Sequence, residues 1–414
     1  MGCSRNRDNG ASGAPPVASS GPAGSAAASA PRGGAGSTGE GPARGDDAPF
    51  PVDAGKLGLK LEKPIDLGPA GAVVATPSGA LFRARGDELL GFQLGSSPTS
   101  APKRVGRADD TAEGASEDAL ASRALPAAFT RGSYAYWVTG GKLVRRAFSF
   151  NAAAAPTAAL EVLAKDALDG TRVAAEMVVV GGRRREVAVY IARAEKKDDE
   201  RTARIWVDGA GSAPLSSDGS GAFGVALAPS GAGLVAIMLD LRSAMSPVHA
   251  RTVDVAETGP ARLGPDVVVF IGPSPEGRTD VVAAPSSEGP IAFIPFPPDT
   301  MSFGLASVLV GPEPHLDTKV QWRMYPNGLE PAPVAAAALC GRTWVAYARP
   351  SAPAAASQHV LALAPLEKGA FGPELTVAQG FDFASLSLAP RDDGGAWIVW
   401  VGNGRSWIRA VRCG

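Results

Sequence analysis

Residues 223–239, FGVALAPSGAGLVAIML, hold two short apolar runs, 225–227 and 234–239, on either side of Pro229-Ser230-Gly231. Runs this short, closed off by Pro and Gly, predict two strands joined by a tight turn. Variants of the unit recur along the chain. Residues 72–83 (AVVATPSGALFR) form the first copy, and 89–94 continue it as a third strand. Residues 127–138 turn at Arg131-Gly132-Ser133 and lead, past Gly140-Gly141, into a strand over 142–148. Further copies occupy 173–190 with a turn at Gly181-Gly182, 266–282 with a turn over 273–277, 334–347 with a turn at Cys340-Gly341, and 383–401 with a turn over 392–395. Ahead of them all, Leu57, Leu59 and Leu61 alternate with charged Lys60 and Glu62, the period of a half-buried strand.

About seven units, most of them roughly 45–55 residues apart with a longer gap around 293–333, predict an all-β β-propeller of about seven blades over residues 57–414. The last unit offers three strands, 383–388, 396–401 and 406–412, the last two joined by the hairpin signal Gly402-Asn403-Gly404. A blade needs four. The strand near 57–67 is free to supply the fourth, pairing the N- and C-terminal strands and hiding both edges. The alternative is a pair of β-sandwich domains meeting near Pro295–Pro298. Residues 95–124, rich in Ser, Asp, Glu and Arg with a weak helical pattern over 117–125, are expected to form a surface insertion.

Composition narrows the classes. The first 50 residues are a polar Gly/Ala/Ser/Pro-rich stretch that cannot bury enough apolar surface to offset its ordering entropy, so a disordered tether is expected there. A net charge of −1 over 414 residues supplies no field to recruit nucleic acid or an anionic membrane. No apolar run is long enough to span a bilayer as a helix. The charged tract over 194–204 reads as a solvated loop at a hairpin tip. Arg183-Arg184-Arg185, just after Gly181-Gly182, reads as part of a turn, with a docking patch for an acidic partner as the alternative.

Catalytic signatures are chance matches where they occur. Gly-x-Gly-x-x-Gly at 34–39 lies in the tether, and at 219–224 it leads into a strand rather than a helix. Ser100 and Lys103 fit Ser-x-x-Lys, but Pro102 disfavours the helix that would bring them together. His249, His315 and His359 stand far apart, with no metal-ligand spacing. No cofactor or metal site is predicted. Five of the seven Trp fall in the last quarter of the chain. Trp397 and Trp400 point to opposite faces of a strand, so wall packing is the expectation. The sharper alternative is an aromatic platform built from Trp397, Trp400, Trp407 and Tyr347, able to bind a glycan or a peptide.

Met1-Gly2-Cys3-Ser4 followed by a low-complexity spacer resembles the mature start of a bacterial lipoprotein, in which the Cys after a small residue carries the lipid. A lipoprotein leader places a positive and an apolar region before that Cys, and here Met1 and Gly2 alone precede it, so the resemblance implies a start upstream; otherwise Cys3 is an ordinary thiol. N-myristoylation is disfavoured by Asn6. The whole resembles the irregular propellers of bacterial envelope proteins. Setting Cys3 aside leaves Cys340 and Cys413, which end strands in neighbouring units and are expected to form a disulfide in an oxidising compartment.

These readings predict a monomeric, envelope-tethered binding or scaffold module for an unknown protein or glycan ligand, touching the membrane only through its lipid anchor. The alternatives are a carbohydrate-active enzyme with paired carboxylates on the same scaffold, and a purely structural envelope protein. Without an upstream signal, the location becomes cytoplasmic.

Overall fold

A computed structural model describes residues 53–414 apart from short turns and the segments 84–87, 95–102, 108–127, 130–133, 150–154, 217–220, 241–244, 274–280, 316–319, 327–332 and 352–358. The tether, Cys3 and the weak helical pattern over 117–125 lie outside the described residues. All of those described belong to one compact unit, Pro42–Gly414.

After a single 3-10 turn, Ala54–Leu57, every regular element among the described residues is a strand. Among the described residues the strands form seven antiparallel sheets, six of them built from consecutive strands and one from strands near both ends of the fold. In chain order the sheets begin with Ala72–Ala75, Ala128–Phe129, Ala174–Val180, Ala222–Ser230, Val282–Ala284, Val334–Leu339 and Phe383–Pro390. Each of these first strands contacts the first strand of the next sheet, and Phe383–Pro390 contacts Ala72–Ala75 in turn. This succession of sheets around shared inner strands is β-propeller architecture.

The packing follows from period-two alternation on strands buried on both faces. In Gly233–Asp240, Leu234, Ala236 and Met238 pack toward the third sheet, while Val235, Ile237 and Leu239 pack toward the fifth. In Ala396–Gly402, Ala396, Ile398 and Trp400 face the sixth sheet, and Trp397, Val399 and Val401 face the first. A sandwich sheet buries one face, with polar residues alternating outward. Sheets with two buried faces therefore set aside the two-sandwich alternative. Pro295–Pro298, its expected boundary, lies inside the strand Ile291–Asp299 of the fifth sheet.

Four local expectations change. Residues 266–282 do not form a hairpin: Val267–Pro273 pairs in the fourth sheet, whereas Val282–Ala284 opens the fifth. The apolar pattern marks both strands but carries no information on their partners. The gap around 293–333 holds strands Ile291–Asp299, Ser302–Leu309 and Val320–Pro326 of the fifth sheet, obscured in sequence by prolines. The charged tract over 194–204 is strand rather than loop. Arg183–Ala194 and Lys197–Val207 run through it, burying Thr202 and Ala203. Within the expected insertion, Lys103–Arg107 is the fourth strand of the first sheet.

The seventh sheet draws on both ends of the chain. Leu59–Leu61 and Ile65–Pro69 pair antiparallel with Arg405–Cys413, matching Leu59 to Cys413 and Ile65 to Ile408. The Gly414 amide donates to the Gly58 carbonyl at 2.7 Å, and the Glu62 amide to the Ala410 carbonyl at 3.0 Å. The turn Asn403-Gly404 takes left-handed φ at both residues, 53° and 69°, as a two-residue hairpin requires. Cys340-Gly341 does the same at 51° and 73°, placing a non-glycine residue where Gly or Asn is favoured. Cys340 is held there by its sulfur, which is bonded to that of Cys413, with the Cα atoms 5.6 Å apart.

Leu59 is 1 % exposed and packs in the cluster between the sixth and seventh sheets, while Lys60 points outward. Leu59→Ala is expected to cost about 2–5 kcal/mol and Lys60→Ala no more than about 0.5 kcal/mol. Urea unfolding of the two variants checks this, and equal midpoints would show that the N-terminal strand contributes nothing to the core.

Candidate functional site

Each first strand pairs with its own second strand on one edge only, so its other edge turns toward the axis that the first strands share. Free strand edges carry unpaired N–H and C=O groups. Part of that demand is met by side chains. The Ser385 hydroxyl accepts from the Val73 amide at 3.1 Å and donates to the Val73 carbonyl at 3.3 Å. The Ser387 hydroxyl accepts from the Ala75 amide at 3.0 Å. Two serines thus stitch the inner strand of the seventh sheet to that of the first.

The axis opens into a cavity of about 250 Å³, lined by residues of six of these regions, among them Val73, Arg172, Val225, Val281, Val334 and Ser385. Arg172 is the one charged residue among its described lining residues. Beside it lies a second cavity of about 260 Å³, walled by the loop 168–172, by Arg201, and by Phe223 to Val225 at the start of the fourth sheet. The two cavities share Arg172, Val225 and Val281, so they adjoin.

The loop 168–172 is pinned on several sides. The Leu168 amide donates to the Ile191 carbonyl at 2.9 Å, and the Thr171 hydroxyl to the Leu168 carbonyl at 2.6 Å. Asp169 Oδ2 accepts from the Gly141 amide at 3.1 Å, tying the loop to the hairpin turn of the second sheet. Arg201 lays its guanidinium over the Phe223 ring, 5.1 Å from the centroid, a cation–π contact across the third and fourth sheets. The wall of the second cavity is thus a fixed arrangement of cation, hydroxyl and aromatic face.

The aromatic residues singled out from the sequence do not assemble into a platform. Tyr347, Trp397 and Trp400 are all buried and belong to the walls between sheets. Trp407 is half-buried and stacks on Trp400 with centroids 6.4 Å apart. Trp397 is covered by the Arg391 guanidinium at 4.4 Å. The physical reason is their place in the sheets: the second strand lies between two neighbours, so its large side chains fill inter-sheet space. Tyr347 instead joins a buried ionic network. Its hydroxyl donates to Glu374 Oε1 at 2.5 Å and accepts from Arg323 at 3.0 Å, while Arg349 donates to Glu374 Oε2 at 2.7 Å. Arg323 comes from the fifth sheet and Arg349 from the sixth, so the network cross-links them.

The basic cluster divides in the same way. Arg183 and Arg184 are exposed, but Arg185 is buried and donates to the carbonyls of Ala256 at 2.7 Å, Gly259 at 2.9 Å and Asp208. His249 pairs with Asp266 at 3.0 Å. Among the described residues no group of three or more His, Cys, Asp or Glu is placed to hold a metal. Asp169 is the one carboxylate among the described lining residues of either cavity. Sequence reading missed Arg172, Arg201 and Phe223, since residues this far apart show their convergence only in the fold.

No family model matches the chain, and no curated protein matches its sequence. Among solved structures it is similar to the Dos1 propeller at a TM-score of 0.47 and 8% identity, over 85% of this chain and 95% of that one. It is similar to the WD40 β-propeller domain of Doa1 at a TM-score of 0.45 and 10% identity, over 85% and 97% of the two chains. A glucose dehydrogenase aligns at a TM-score of 0.38 and 11% identity, over 85% and 98%. Likenesses this distant say nothing of the site, and the architecture rests on the sheets themselves.

Ser385→Ala would leave the buried Val73 amide without its acceptor, at an expected cost of about 1–3 kcal/mol. Ser387→Ala is expected to cost less, because water reaches the partly buried Ala75 amide. Chemical denaturation of the two variants checks this order, and the reverse order would refute the stitching role.

Proposed function

We propose that this chain is an envelope-tethered binding or scaffold module. In this reading the seven sheets are the blades of one ring, and the pairing of Leu59–Leu61 and Ile65–Pro69 with Arg405–Cys413 is its closure. The Gly/Ala/Ser/Pro-rich residues 1–50 are the leash, with composition suited to a flexible linker, and Cys3 carries the lipid. The ring works as a monomer and offers its axial mouth to a protein or glycan.

The observation that carries the proposal is a polarity of the fold. Val334–Leu339 starts at the axial cavity, through Val334, and ends beside Cys340. Phe383–Pro390 also lines the cavity, and beyond its far end Gly394 approaches the Cys413 sulfur and accepts from the Cys340 amide at 2.7 Å. Gly58 and Leu59 sit at that same far end, bonded to Gly414 and registered with Cys413. A strand of six residues spans about 20 Å. The chain therefore enters beside the far ends of these strands, while the cavity is lined by Val334–Ala336 and Ser385–Leu388 further back along them. The presence of the cavities speaks against the purely structural alternative.

The bridge between Cys340 and Cys413 belongs to the same proposal, since an oxidising envelope compartment preserves it. It closes a loop with a sequence separation of 73 and ties the last strand, with its N-terminal partner, to the sixth sheet. In the chain-entropy account such a loop is worth about 4 kcal/mol. The double variant Cys340→Ser/Cys413→Ser, like wild type under reductant, is expected to unfold at lower urea by about that amount. Unchanged stability would remove the bridge from the account.

The functional reading is tested in the source cells with a photo-activatable benzoylphenylalanine at position 223 or 60. Light-dependent adducts are expected from position 223 and not from 60, along with lipid-analogue labelling of wild type that Cys3→Ala abolishes. Adducts from position 60 alone, or from neither, would overturn the ligand face. Equal labelling of Cys3→Ala would overturn the anchor.

A further inference from the structure

The adjoining cavities differ in chemistry. The axial one is bounded by the free edges of inner strands, whose amides and carbonyls seek hydrogen-bonding partners. Among its described lining residues the side cavity carries two guanidiniums, Arg172 and Arg201, and one carboxylate, Asp169. Arg172 lines both and so stands where they meet. A guanidinium offers a planar fork of donors matched to a carboxylate, and one braced on an aromatic ring, as Arg201 is on Phe223, is pre-organised for it. Each space holds about 250–260 Å³, close to the lower end of the range of about 300–1,000 Å³ for small-molecule sites.

We infer that what this face grips in its ligand is a small acidic moiety bearing further hydrogen-bonding groups, its carboxylate held in the side cavity by Arg172 and Arg201 and its polar remainder on the strand edges of the axial cavity. The inference rests on the binding-module reading and names the chemistry of its ligand. An apolar tail is disfavoured, because covering unpaired backbone groups with hydrocarbon removes their water without replacing its hydrogen bonds. A neutral polyol forgoes the charge-assisted bonds. Recognition therefore needs charge and hydrogen-bonding groups in one molecule.

The test uses three probes with full-length protein in calorimetric and ligand-observed NMR titrations. Tartrate carries carboxylates and hydroxyls, succinate carboxylates alone, and threitol hydroxyls alone. Saturable tartrate binding is expected, at least tenfold tighter than succinate, with no saturation by threitol. Arg172→Gln and Arg201→Gln should each weaken tartrate at least tenfold, and Arg201→Lys, which keeps the charge but not the fork, severalfold. Arg405→Gln, altering an exposed partner of Asp66 in the seventh sheet, should leave it unchanged. Thermal melting of each variant separates lost binding from lost folding, and Arg201→Lys keeps the test open if a Gln variant does not fold. Absent tartrate saturation, threitol binding as tight as tartrate, or undiminished binding in both folded Gln variants would each overturn the acid. If position 223 still gives adducts in cells, that failure falls on the acid alone; if it gives none, the module reading fails as well.

Discussion

Burial of second strands such as Gly233–Asp240 and Ala396–Gly402 on both faces is the constraint from which the rest of this structure follows. Such a strand cannot be satisfied by one partner sheet. Leu234, Ala236 and Met238 need the third sheet while Val235, Ile237 and Leu239 need the fifth. A sheet that buries both faces stands between two others. Hence the last sheet packs its Trp397 face on the first and recruits the first residues of the fold, Leu59–Leu61, to its own outer edge. The hydrophobic term is non-directional, so it favours the stack without choosing its order. The order comes from chain connectivity, since six sheets use consecutive strands and the seventh adds only the N-terminal pair.

Polar side chains at the seams add what apolar packing lacks. Arg323, Tyr347, Arg349 and Glu374 join the fifth sheet to the sixth. Arg145 lies over Tyr134 and Trp206 and pairs with Glu161 at 2.8 Å, joining the second sheet to the third. A buried ion pair is weak evidence for stability, because desolvation offsets much of its Coulombic gain. Its geometry is demanding, however, and only one register of neighbouring sheets satisfies it. We regard these networks as devices that set how adjacent sheets meet. The serines on the inner strand of the seventh sheet act in the same sense nearer the axis.

Function, in this reading, uses what is left over once packing is satisfied. Outer strands have neighbours and second strands are buried, which leaves the inner edges and the loops at their starts to face a ligand. Those loops carry Asp169, Thr171 and Arg172, fixed by backbone hydrogen bonds rather than by the core. The opposite ends of the same strands hold the chain entry and the Cys340–Cys413 contact.

The short apolar runs, their period of two and the Gly-bearing turns were sufficient to determine the all-β class, the strand-rich repeat and the free N-terminal strand, because each is a local property of the backbone. The same locality explains the failures. Residues 266–282 read as one hairpin because alternation marks a strand without naming its partner, and only the tertiary structure assigned its halves to different sheets. Trp397, Trp400 and Tyr347 were correctly placed on strands, yet whether an aromatic face meets solvent or a neighbouring sheet depends on what stacks beside it. The side cavity was invisible for a like reason. Arg172, Arg201 and Phe223 belong to a loop, a third strand and a first strand of two sheets, and folding alone brings their side chains to one wall.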